Sequence, residues 1–109
     1  MKIINIARDY SDTPLGRYRT DGSFSGQRFR EEFLVPALKS GAVTVEIDGT
    51  EGYGSSFLEE AFGGLVRKEK FTADNLRKNL IIDTNDPAFR VYDQLIRKYV
   101  DDAEAKLKG

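Results

Sequence analysis

The chain has 109 residues, 39% of them hydrophobic and 32% charged, a length and balance that fit one domain able to bury its own core. Seventeen basic side chains against eighteen acidic ones leave a net charge of −1, which removes any bulk electrostatic case for nucleic acid or an anionic membrane surface. Cysteine and histidine are both absent, which excludes disulfides, thiolate chemistry, cysteine metal sites and histidine triads.

The first element predicted is a strand over Lys2 to Ala7, where Ile3, Ile4 and Ile6 surround Asn5. The same amino terminus is too short in apolar residues for a signal-peptide core. No later apolar run approaches the roughly 20 residues of a membrane-spanning helix. A cytoplasmic protein without membrane contact is expected.

From Arg8 to Gly26 the chain is polar and rich in turn formers: Ser11, Asp12, Thr13, Pro14 and Gly16. Asp21-Gly22 is a hairpin signal, with Gly16 to Thr20 and Ser23 to Phe24 as arms. If the arms pair, the segment is an edge hairpin; otherwise it is a long ordered loop. Arg17, Tyr18 and Arg19 fit a solvated edge strand or, alternatively, an anion or nucleic-acid contact.

Ser25 is placed to cap a helix from about Gln27 to Lys39, with Phe29, Phe33, Leu34, Ala37 and Leu38 on its apolar face and Gly41 at its end. Pro36 lacks the amide that would bond to Glu32, so a bend is expected there. Arg28 and Arg30 read as a solvent-facing pair or as contacts for an anion or an acidic partner.

Val43, Val45 and Ile47 alternate with Thr44, Glu46 and Asp48, the period of a strand with one buried face. Gly49, Gly52 and Gly54 interrupt it in a turn that needs positive φ. Ser56 and Glu59 have capping-box spacing, and Phe57, Leu58, Ala61, Phe62, Leu65 and Val66 form the helix stripe that follows. Gly63-Gly64 implies close approach of this helix to the sheet. Thr72 caps a short helix over Ala73 to Lys78. Leu80, Ile81 and Ile82 suit a strand buried on both faces. Asp86-Pro87 opens the last helix, which runs to about Leu107 with Tyr92, Leu95, Ile96, Tyr99, Val100 and Ala103 on one stripe.

This order predicts an α/β fold: one small mixed sheet with at least one parallel pair and helices packed largely on one face, in a single domain spanning residues 1–109. Asp48, Glu51, Glu59 and Glu60 read as a solvated face or, if they converge, as a carboxylate pair or Mg²⁺ ligands. The glycine turn is not a phosphate-binding loop of the GxxxxGK(S/T) type, since no lysine follows it. No metal or cofactor is expected. No nucleophile and base combination emerges, so an enzyme is not expected.

The run from Gly22 to about Val66, with SGQRF, LVPAL, a strand ending in Asp-Gly, and SSFLEEAFGGLV, resembles the STAS-like domain family of bacteria and phages. That family is distantly similar to anti-sigma-factor antagonists, which act by partner switching. In those proteins an Asp-Ser-Ser/Thr-Gly-Leu motif opens a helix, and a histidine-kinase-like ATPase phosphorylates the serine after the aspartate. By position, the resemblance makes Ser55 the phosphoacceptor candidate, with Ser56 beside it. Gly54 stands where the aspartate would be, and Phe57-Leu58 replaces Gly-Leu. What the resemblance implies is a non-catalytic regulatory module binding a protein partner, such as a histidine-kinase-like ATPase, through Gly49, Gly52, Tyr53, Gly54, Ser55, Ser56, Phe57, Glu59 and Glu60. The alternative is a small-molecule or nucleotide sensor using the same loop as an anion site without phosphorylation.

Overall fold

A computed structural model describes residues 2–108. Three short strands, β1 (Lys2–Asn5), β2 (Val43–Glu46) and β3 (Leu80–Asp83), form one sheet in the order β1-β2-β3, and both pairings are parallel. Parallel neighbours require crossovers, and helices supply both. The first is α1 (26–40); the second is α2 (55–67) with α3 (Ala73–Asn79). The last helix, α4 (Arg90–Lys108), follows a 3-10 turn, Pro87–Phe89, which Asp86 caps through the Ala88 amide.

The predicted α/β class and the helices gathered on one face are present. The sheet is parallel throughout, however, because the arms expected around Asp21-Gly22 do not pair as strands. The Asp21 carboxylate instead accepts from the amides of Arg17 (3.1 Å) and Tyr18 (2.8 Å), closing a 3-10 turn over Arg19–Asp21. Arg17 does not lie on a solvated edge. Its guanidinium reaches Glu59 at 2.5 Å and Glu60 at 3.4 Å, which ties this long loop to α2.

Sheet register explains the core. Ile4, Val45 and Ile82 share a row on the helix side, and Ile6, Val43, Ile47 and Leu80 extend that buried face. Ile3, Thr44 and Ile81 share a row on the other side, where Ile3 is 54% and Ile81 40% exposed. β3 is therefore buried on one face rather than both.

Both crossover helices contain a π turn. α1 runs Gly26–Phe29, then π over Arg30–Leu34, then Val35–Ser40; α2 runs Ser55–Leu58, π over Glu59–Gly63, then Gly64–Arg67. In α1 the wide turn precedes Pro36, so the missing proline amide falls where the hydrogen-bond register changes. Ser25 caps α1 as expected, accepting from the Arg28 amide at 3.2 Å, and Thr72 caps α3 through Asn75.

The two helices meet closely. A Cβ on Gly26 would collide with the Phe57 carbonyl, and one on Gly64 with the Arg30 guanidinium. The Gly63-Gly64 pair thus makes room for Arg30, for the Glu59 carboxylate and for the α4 backbone, not for the sheet. Arg30 and Glu60 are each 2% exposed and paired at 2.7 Å, with a second 2.7 Å bond from Arg30 to the Glu60 carbonyl. Neither is the solvated side chain expected. α2 is covered by α1 on one side and by α4 on the other, so it has little free face to carry charge.

Candidate functional site

At the carboxyl end of the sheet, the loops after the three strands converge with the start of α4. In open parallel sheets this is the end where ligands bind. Here a groove of about 380 Å³ is walled by Thr13, Pro14 and Leu15 from the loop after β1, by Glu51, Gly52, Tyr53 and Gly54 from the loop after β2, and by Tyr92 of α4.

The loop after β2 is built tightly. Asp48 accepts from the Thr84 hydroxyl (2.5 Å) and the Asn85 amide (2.7 Å), joining it to the loop after β3. The Glu51 amide donates to the Asp12 carbonyl at 2.8 Å, joining it to the loop after β1. Gly49 and Gly52 hold φ of 93° and 112°, which glycine accommodates, and a Cβ on Gly52 would press on the Tyr92 hydroxyl at 2.9 Å. Gly54 has ordinary extended dihedrals and open space around it.

Tyr53 turns inward. Its hydroxyl donates to the Ile47 carbonyl at 2.7 Å, its ring packs on Phe57, Phe89 and Tyr92, and burial pushes the phenol pKa well above its ordinary value. Phe57 is fully buried. These two, with Glu60, belong to the interior, so the exposed part of the predicted surface is narrower: Gly49, Gly54, Ser55 and Ser56, with Gly52 and Glu59 half-buried.

Ser55 and Ser56 stand exposed at the head of α2, and neither hydroxyl makes a hydrogen bond among the described residues. The expected capping box is not formed. Gly54 occupies the cap position without a side-chain bond, and Glu59 is taken by Arg67 (2.7 Å) and Arg17. Burial would raise the Glu59 pKa, but the hydrogen bonds from Arg67 and Arg17 outweigh it and hold the carboxyl below its ordinary 4.5. The acids proposed to converge are therefore dispersed: Asp48 between loops, Glu51 on the groove, Glu59 and Glu60 on arginines.

Thr13, Pro14, Leu15 and Tyr92 were not among the expected site residues. Tyr92 had a signal only as part of a core stripe. Leu15, 71% exposed beside Pro14, is an apolar side chain in a polar stretch, and that contrast was legible.

A family model described as a STAS-like domain of unknown function (DUF4325) matches residues 25–89. The chain belongs to that family. The STAS-like match runs from the α1 cap to the 3-10 turn before α4, and so contains α1, β2, the Gly49–Ser56 loop, α2 and β3. Two parts of the groove, Thr13–Leu15 and Tyr92, lie outside the matched stretch of this STAS-like chain. The curated proteins and the solved structures give no match. No helix among the described residues is long and apolar enough to cross a membrane.

Proposed function

We propose that this STAS-like domain is a non-catalytic regulatory module that binds a protein partner at the carboxyl end of its sheet, with Ser55 as the phosphoacceptor that changes the binding. A histidine-kinase-like ATPase is the partner class the resemblance implies. The observation that carries the reading is the pair of exposed, unbonded hydroxyls at the head of α2, beside a groove and on a loop braced from both neighbouring strands. A kinase can reach such a hydroxyl without unfolding the loop. A phosphate there would add about −1.5 to −2 charges beside the positive end of the helix dipole, which tolerates it locally.

The anion-sensing alternative finds less support. Among the described residues the groove wall carries one acid, Glu51, and no base. Binding of the native host's histidine-kinase-like ATPase to wild type, Ser55→Ala and Ser55→Asp tests the proposal. Wild type and Ser55→Ala are expected to bind alike and Ser55→Asp to differ, with all three unfolding at similar temperatures. Equal affinities across the set would remove the switch.

A further inference from the structure

We infer that the groove at the carboxyl end of the sheet receives a cationic segment of a partner protein, in which a lysine or arginine stands next to an apolar side chain. This rests on the protein-interaction reading above and narrows it to one chemistry. The molecule's unpaired charges are sorted by end. Asp12, Glu51 and Asp83 are the acids whose carboxylates make no hydrogen bond or ion pair among the described residues, and all three lie in or at the start of loops at the carboxyl end. Every other carboxylate is held, most of them by arginine: Glu31 and Glu32 by Arg19, Glu59 by Arg67 and Arg17, Glu60 by Arg30.

The unpaired lysines stand toward the opposite end, with Lys2 opening β1 and Lys39, Lys68, Lys78 and Lys106 at or just past the carboxyl ends of the four helices. Arg90, at the head of α4, is an unpaired base at the groove end, but it is not part of the groove wall. Helix dipoles make acids tolerable near helix starts. A carboxylate placed only for that purpose bonds to helix amides, and neither Asp12 nor Glu51 does.

The wall supplies the rest of the recognition. A lysine or arginine stem can lie along the half-buried Tyr92 ring with its head at Glu51, and the neighbouring apolar side chain can cover Leu15. An anionic segment would instead meet Glu51 with no wall cation to offset it.

Selection of random peptides displayed against the intact chain tests the inference, followed by amide NMR mapping of the enriched peptides. Enriched peptides should pair lysine or arginine with an apolar residue and shift the amides of Leu15, Glu51 and Tyr92. Affinity should fall as salt rises. Glu51→Lys should weaken binding by about tenfold or more, and Leu15→Ser by about tenfold. Both positions are exposed, so both variants should melt with wild type, which a thermal scan checks. Acidic or neutral peptides on this face, or indifference to Glu51→Lys, would overturn the cationic occupant while leaving the interaction reading. Failure of any peptide to bind this face would overturn both.

Discussion

Arg30 and Glu60 are charged side chains in a place that charge seldom occupies, and their surroundings account for it. The Arg30 guanidinium spends its donors on the Glu60 carboxylate, the Glu60 carbonyl and Glu69, and sits in space left by Gly64. Removing one partner leaves the other buried without its shortest ion pair, Arg30 keeping only its Glu31 and Glu69 contacts and Glu60 its longer contacts with Arg17 and Arg67. Glu60→Ala or Arg30→Ala should each cost about 3–5 kcal/mol in urea unfolding, and the double variant should cost clearly less than the sum. Glu59 makes a second residue-level prediction. Its folded pKa is depressed below 4.5, so the stabilisation is present above the unfolded value and is lost as pH falls through the folded one. Urea midpoints followed from neutral pH into acid should drop less steeply for Glu59→Gln than for wild type.

At the scale of elements, the two helices that carry the crossovers start differently. α1 is capped by a buried serine, so Ser25→Ala should cost about 1 kcal/mol. α2 has no side-chain cap, so Ser55→Ala and Ser56→Ala should change stability by less than about 0.5 kcal/mol. That difference frees the two serines for a role other than holding the helix. The glycines divide similarly. Gly26→Ala forces α1 off the Phe57 carbonyl and should cost about 1–3 kcal/mol, whereas Gly54→Ala meets nothing and should be close to neutral. Chemical denaturation of the five variants in parallel checks these signs.

For the whole molecule, the sequence made the order of strands and helices legible because the apolar periods at Val43 to Ile47 and along α2 and α4 are clean. It misread what depends on partners distant in the chain. Ile81 reads as buried in a run of three apolar residues, yet β3 is a sheet edge with one open face. Glu60 reads as solvated because a single helix stripe cannot reveal that α1 brings the Arg30 guanidinium against it. The Asp21-Gly22 step signals a hairpin, but Asp21 closes its own turn, and the flanking segments share backbone bonds, Leu15 to Phe24 and Gly26 to Gly16, without forming strands. Of the candidate site, the Gly49–Ser56 loop was legible from its glycines and serines. Its other walls, Leu15 and Tyr92, come from segments joined to it only by the fold. Both sheet edges are also blunted from within: Asp9 takes the outward Asn5 amide of β1 at 2.8 Å, and Arg97 takes the Leu80 carbonyl of β3 at 3.1 Å. Free strand pairing is thereby discouraged.

On the proposed reading, this loop end binds a protein partner under control of Ser55. Affinity recovery from the native host, with phosphopeptide mapping of Gly49 to Arg67 in the same sample, tests it most directly. A histidine-kinase-like ATPase is expected with the unmodified chain, and phosphate on Ser55 in the fraction that does not retain it. Recovery of no such ATPase, with Ser55 and Ser56 unmodified throughout, would contradict it.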